Sequence, residues 1–116
     1  MAVANPAGVA KSNAAHHNEV RLTGRLSSLA DQRTLPSGDE VVSWRIVVDR
    51  PSGSSRAGID AIDCVALTAR LRQAALRWLP GEVIEVEGAL RRRFWRRGVE
   101  TASRTEVEVT RAKRVG

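Results

Sequence analysis

Arginine and aromatic side chains are concentrated in one short stretch of the chain, between Gly88 and Gly98. Five arginines lie around the pair Phe94 and Trp95. Arginine binds phosphate through its planar fork of N–H donors, and an exposed aromatic ring is a surface on which a nucleobase stacks. The stretch follows an apolar strand pattern and ends at a glycine, which is typical of a β-hairpin. These residues therefore predict a basic hairpin that binds nucleic acid.

The positive charge of the chain is localised towards its C-terminal end. The 116 residues carry a formal net charge of +6. Residues 1–90 hold ten basic and ten acidic side chains, whereas residues 91–116 hold nine basic and three acidic ones. A localised basic surface indicates a polyanionic partner, and it favours nucleic acid over an anionic membrane. Every cation except two lysines is arginine, a bias that the base composition of the genome would explain equally well.

The length and the residue types exclude several classes of protein. A chain of 116 residues with 42% apolar residues is long enough for one domain with a core. Cys64 has no partner for an internal disulfide, and the adjacent His16 and His17 lack further ligands, so we expect no metal or other cofactor. There is no Ser/His/Asp or Cys/His arrangement and no phosphate-binding glycine loop, so we expect no enzyme. No apolar run resembles a signal peptide or a membrane span, which favours a cytoplasmic protein.

Alternation of apolar and polar residues predicts five strands. They are expected at residues 18–26, 41–49, 59–68, 83–90 and 104–111. Residues 69–79 instead carry apolar side chains at helical spacing, and Pro80 with Gly81 ends that helix. Gly24 in mid-strand predicts a bulge or a sharp bend. The order of three strands, one helix and two strands predicts an all-β fold with one short helix, a five-stranded antiparallel barrel of the oligonucleotide/oligosaccharide-binding (OB) type.

The other tryptophans fit a core better than a binding surface. Trp44 shares a strand face with three aliphatic residues, and Trp78 lies on the apolar side of the helix. A base-stacking role for Trp44 stays open as the alternative. Arg45, on the opposite face of the same strand, is the better candidate for a ligand contact. Cys64 and Asp63 are expected to be structural.

Composition also predicts the domain organisation. We expect a flexible N-terminal arm at residues 1–17, an OB-fold domain at 18–111 and a basic C-terminal end at 112–116. The loop 50–58 is rich in Pro, Gly and Ser and is expected to be mobile. Its Arg50 and Arg56 would contact a ligand if the loop wraps over a bound strand, although an ordinary solvated loop is equally compatible.

Two motifs of the chain resemble a known family. The first is Asn-x-Val-x-Leu-x-Gly-x-Leu, beginning at Asn18, and the second is Ile-x-Val-x-Gly-x-Leu-x-x-Arg-x-Trp, ending at Trp95. In order and spacing the chain from Asn18 to Val109 resembles the bacterial single-stranded DNA-binding protein (SSB) family. The resemblance implies an OB barrel that binds single-stranded DNA without sequence preference, acts in replication, recombination or repair, and assembles as a homo-oligomer, usually a tetramer.

The resemblance also implies particular site residues. It places a base-stacking ring at Trp95, with help from Phe94, and basic strand contacts at Arg91 and Arg93. Period two puts Arg91, Arg93 and Trp95 on one face of the strand, whereas Arg92 and Phe94 face the other way.

Four further arginines complete the expected interface. Arg45 and Arg70 fall at positions where the family tends to face its ligand, and Arg96 with Arg97 forms a looser phosphate clamp at the hairpin tip.

Two departures from the family leave other functions open. Residues 49–68 contain no aromatic residue, so we expect binding to depend on phosphate contacts more than on stacking. The chain ends at Gly116 without the acidic tail by which the family recruits partners, as in a short divergent member or a truncated chain. The alternatives are an OB-fold subunit for protein interaction or assembly and an RNA-binding OB domain.

Overall fold

The computed structural model describes residues 8–52 and 58–116. In chain order the elements are β1 (Val20–Leu26), β2 (Asp31–Thr34), β3 (Glu40–Asp49), β4 (Ile59–Ala66), α1 (Ala69–Ala75), β5 (Val83–Arg97) and β6 (Glu100–Val115). Residues 8–17 are exposed and belong to no strand, and the rest of the expected arm, residues 1–7, lies outside the described residues. Within the described part of the chain, no helix has the length and apolarity needed to cross a membrane.

The strands form one sheet that closes into a ring. β1 pairs with β5 along one edge and, at Arg25 and Leu26, with β3 along the other. The ring continues from β5 through β6 and β4 back to β3. All of these pairings are antiparallel except that of β4 with β6, which is parallel where Cys64 faces Val107. A ring of this kind with one short helix between β4 and β5 is an OB fold, which confirms the predicted fold class.

Two details differ from the expectation of five antiparallel strands. β2 was not predicted, because its four residues are all exposed and polar and show no apolar alternation. The parallel contact joins β4 and β6, which lie far apart in the chain, and no local sequence pattern predicts such a pairing. β6 also continues beyond Arg111, since Val115 pairs with Val83. The sheet therefore runs through most of the segment expected to be a separate basic end.

Gly24 lies where β1 changes its partner strand. It pairs with Ile84 of β5, directly before β1 joins β3. A Cβ atom added at Gly24 would lie 2.4 Å from the carbonyl oxygen of Val47 and 2.5 Å from a side-chain carbon of Ile46. The missing side chain thus lets β3 approach β1 closely enough to close the ring, which explains the glycine that interrupts the apolar alternation.

Aliphatic side chains from the long strands fill the interior of the ring. Leu26, Ile46, Ile84, Val86 and Val107 are all buried to 1% exposure or less. The neighbours of each residue along its strand are less buried, as alternation requires, except that Val107 follows the buried Glu106. Burial of these chains is the main force that holds the ring together.

The two remaining tryptophans belong to this core. The ring centroids of Trp44 and Trp78 are 5.2 Å apart, and the rings meet edge to face at 86°. This confirms the prediction that both residues are core residues. Cys64 is also buried, and burial, with a smaller contribution from the neighbouring Asp63 charge, raises the pKa of its thiol to about 12. The thiol is therefore protonated at neutral pH, in keeping with the expected structural role.

α1 is shorter than the sequence pattern suggests. It begins after Thr68, whose hydroxyl oxygen accepts a hydrogen bond from the backbone N–H of Leu71. It ends at Ala75 rather than at Leu79. The backbone N–H groups of Arg77 and Trp78 donate to carbonyls three residues back, and this tighter winding turns Trp78 into the core.

β5 and β6 form a long hairpin whose outer half leaves the ring. β6 pairs with β5 along its whole length, whereas the pairing of β1 with β5 stops at Gly88. The side-chain amide of Asn18 donates to the carbonyl of Leu90 and accepts from its N–H, at 2.7 and 2.8 Å. Gly98, with a φ of +63°, and Val99 form the two-residue turn at the tip.

We expect Gly24→Ala to lower the free energy of unfolding by about 1–3 kcal/mol, because the new methyl group would collide with the backbone of β3. Urea unfolding followed by circular dichroism measures this loss. The matched control is Gly8→Ala, where the added Cβ meets nothing within 4 Å. Equal stability of the two variants would show that the close approach at Gly24 is not needed.

Candidate nucleic-acid interface

The projecting part of the long hairpin, residues 91–104, is called the outer hairpin. Its register runs without a shift from Gly88 to the tip, so alternate residues of β5 keep to one face. Arg93 lies opposite Arg104 and Trp95 lies opposite Ala102. The structure therefore places Arg91, Arg93 and Trp95 on one face, as the alternation predicts.

The opposite face of the outer hairpin carries Arg92 and Phe94. The guanidinium carbon of Arg92 lies 5.6 Å from the centre of the Phe94 ring, and a terminal nitrogen donates to the Ser103 hydroxyl at 3.3 Å. Phe94 is 65% exposed. It thus presents a second aromatic surface with an arginine stacked against it, and Phe94 also borders the cavity that Trp95 lines.

Three of the arginines predicted to contact nucleic acid are held by carboxylates of the neighbouring strand. The pairs are Arg45 with Asp63 (3.0 Å), Arg91 with Glu108 (3.3 Å) and Arg93 with Glu106 (2.6 Å). Each contact is made through Nε, so the four terminal N–H donors of each guanidinium remain for a ligand. The carboxylates orient these arginines. They also neutralise the positive charge, so these arginines attract a distant anion only weakly.

The two other arginines predicted on the barrel lie apart from Trp95. Arg50 donates through Nε and Nη2 to Asp60, at 3.2 and 2.9 Å, and this hydrogen bond is the first cause that raises the pKa of its guanidinium. Arg70 is exposed and lines a cavity with Arg111 rather than with Trp95. Arg56 lies outside the described residues.

Ion pairs also neutralise much of the charge near the C-terminus. Glu85 contacts Arg21 at 2.9 Å and Lys113 at 3.7 Å, and the hydrogen bond from Arg21 is the main cause that lowers the pKa of Glu85. Glu82 contacts Arg114 at 3.0 Å. Four arginines of the outer hairpin have no ion pair with any described residue. They are Arg92, Arg96, Arg97 and Arg104. Lys11, Arg33, Arg70, Arg77 and Arg111 likewise have no ion pair with a described residue, so the outer hairpin carries a cluster of uncompensated positive charge but not all of it.

A cavity of about 420 Å³ opens beside Trp95, which is 44% exposed. Its walls also include Arg33 of β2 and Arg104 of β6, together with Glu106. Sequence reasoning missed these residues. Arg33 could not be predicted, because β2 shows no apolar alternation. The position of Arg104 could be predicted from the sequence, because a two-residue turn at Gly98 sets it opposite Arg93.

The closed ring, the single helix and the projecting hairpin define an OB-fold protein. A family model described as the single-strand binding protein family matches residues 17–115. The chain therefore belongs to the single-strand binding protein family, whose members are non-enzymatic DNA-binding proteins. This confirms the family resemblance drawn from the two motifs.

A comparison with curated proteins gave no match. Among solved structures, the chain is similar to a Plasmodium falciparum SSB in complex with ssDNA, with a TM-score of 0.75 and 18% sequence identity. The similarity covers 90% of this chain and 100% of the other. At this level of identity the similarity shows that the two chains share a fold.

We expect Arg93→Ala to lower the free energy of unfolding by about 1–3 kcal/mol, because it leaves the Glu106 carboxylate buried without its cation. Thermal or urea unfolding measures the effect. Arg97→Ala, on the same strand, removes an arginine that has no ion pair with a described residue, and its stability should stay within about 0.5 kcal/mol of the parent. If the two variants were equally stable, Arg93 would have no structural role.

Proposed function

We propose that this protein binds single-stranded DNA, without catalysis, in replication, recombination or repair. The observation that carries the proposal is the exposed ring of Trp95 on an arginine-rich hairpin, in a chain of the single-strand binding protein family. A ring that is 44% exposed in an otherwise well-filled β protein is available for a base to stack on.

The face of Trp95 provides both kinds of contact that a single strand needs. A base stacks on Trp95, while Arg91, Arg93 and Arg45 donate their terminal N–H groups to phosphates. Their Nε atoms already pair with carboxylates, so these side chains are ordered before single-stranded DNA binds. Preordering reduces the entropy lost on binding, although the compensated charge gives a weaker long-range attraction.

The tip of the outer hairpin supplies the long-range attraction. Arg96 and Arg97 have no ion pair with any described residue, so their charge is directed to solvent. We propose that they clamp phosphates and that Phe94, on the opposite face, offers a second stacking surface. A strand that continues around the barrel would meet Arg50 and Arg56 at one loop and Arg70 at the helix.

The family resemblance extends the proposal to assembly and location. We propose that the chain forms a homo-oligomer, with a tetramer as the expected state, and that it acts at the nucleoid in the cytoplasm. Light scattering during size-exclusion chromatography measures the oligomeric state directly. The 17–115 match supports the family assignment on which this rests.

Trp95→Ala should weaken binding to a thymidine oligonucleotide about 5- to 150-fold, the equivalent of about 1–3 kcal/mol for one stacked base. Fluorescence anisotropy of an end-labelled oligonucleotide measures the affinity. The control is Val99→Ala, which truncates a 95% exposed apolar side chain at the tip of the same hairpin and should leave the affinity unchanged.

Three outcomes would contradict the proposal or part of it. Absence of binding at low salt would exclude single-stranded DNA as the ligand, and equal affinities of the Trp95→Ala variant and the parent would exclude stacking on this ring. Tighter binding of an RNA oligonucleotide of the same sequence would identify RNA as the ligand instead.

The double change Arg96→Gln with Arg97→Gln should reduce the dependence of affinity on salt. Each lost phosphate contact lowers the slope of log K against log salt by about 0.7 for a single strand, so the double variant should lose about 1.4. Arg21→Gln removes a cation of β1 that is paired with Glu85 of β5, and the slope of this variant should match the parent. An unchanged slope in the double variant would show that the tip does not contact phosphate.

A further inference from the structure

The cavity beside Trp95 combines groups that suit a nucleobase better than a phosphate. One wall is aromatic, and the others carry arginines and the carboxylate of Glu106. The arginines of the wall attract phosphate, but only a base brings both a flat face for the Trp95 ring and N–H donors on its edge for the Glu106 carboxylate. The phosphates on either side of such a base would lie near the surrounding arginines.

Glu106 is the one charged residue that is buried among the described residues, at 6% exposure. Its Oε2 lies 2.6 Å from Nε of Arg93. A carboxylate has two oxygens and about four acceptor sites, so one ion pair leaves capacity for further donors. Glu106 also lines a neighbouring cavity of about 240 Å³ with Arg45 and Asp63, so it stands at the junction of the two cavities.

The four bases differ in what they offer to a carboxylate. Guanine presents two adjacent donor groups, N1–H and the N2 amino group, which match the two oxygens of a carboxylate. Cytosine and adenine present one amino group beside a ring acceptor. Thymine presents a single N3–H between two carbonyl oxygens, which a carboxylate repels. Arg104, on the same cavity wall, matches the O6 and N7 acceptors of guanine.

We propose that this cavity receives one nucleobase stacked on Trp95, and that Glu106 binds the Watson–Crick edge of that base and favours guanine over thymine. The proposal rests on the proposed single-strand binding and adds base discrimination to it. Glu106 then has two partners, Arg93 on the protein and the base edge on the ligand. A purely structural Glu106 would pair with Arg93 and leave the affinity independent of base identity.

The test compares oligonucleotides bound by the full chain. One is all thymidine, and the others carry at mid-length a single deoxyguanosine, deoxyinosine or 7-deazadeoxyguanosine. The guanine strand should bind about fivefold tighter or more than the thymidine strand, the lower end of what a bidentate contact provides. Deoxyinosine lacks the N2 amino group and should lose most of this gain. The 7-deaza analogue keeps the Watson–Crick edge and should retain most of it.

Two variants test whether the preference for guanine over thymine depends on the Glu106 carboxylate. Glu106→Gln should lose the preference for guanine while its affinity for the thymidine strand stays equal or rises. Glu108→Gln changes a carboxylate on the same strand, paired with Arg91, and should keep the preference. If Glu106→Gln fails to fold, the base analogues bound to the parent protein still decide the question.

The two proposals fail in different ways. Equal affinity of the parent for the thymidine and guanine strands, with both bound, would overturn the base-reading cavity and leave single-strand binding intact. Equal gains from deoxyinosine and deoxyguanosine would overturn it as well, because the N2 amino group would then not be recognised. Absence of binding to every strand would overturn both proposals.

Discussion

The pairing of β5 with β6 is the interaction on which both the fold and the interface depend. Its inner half supplies Ile84 and Val86 to the core, and its outer half carries Arg93 and Trp95 into solvent. The register of the ladder shifts between Glu87 and Gly88, and from Gly88 outwards it runs without interruption and fixes which face the outer residues present. The orientation of the binding residues therefore depends on the outer ladder and on the irregularity that joins it to the core.

Ion pairs neutralise part of the positive charge that the composition shows. The sequence shows an excess of arginine towards its end, but in the folded chain carboxylates pair with four of the cations there, Arg91, Arg93, Lys113 and Arg114. Beside Trp95 lie the ion-paired Arg93 and the unpaired Arg33 and Arg104, and unpaired arginines also lie at the tip. Arginines that can position a strand and charges that can attract it are therefore found on the same face.

Most of the fold could be predicted because each long strand buries one face and so shows apolar alternation. β2 could not, since its residues are exposed on both faces. The shared face of Arg91, Arg93 and Trp95 also followed from period two. The β6 carboxylates that pair with Arg91 and Arg93 follow from the same two-residue turn that sets Arg104 opposite Arg93. The parallel contact of β4 with β6, which puts Asp63 and Glu106 on one cavity, left no local signal.

The length of the outer hairpin has a consequence for the rate of association. From Leu90 to Arg97 the strand extends about 23 Å at about 3.3 Å per residue. The screening length at physiological ionic strength is about 8 Å. The tip charges therefore lie about three screening lengths from the foot of the hairpin, so salt screens them from the ion pairs of the barrel. Trp95 directly precedes Arg96 in β5, so the charges that attract a polyanion and the ring on which a base stacks lie together at the end of the arm.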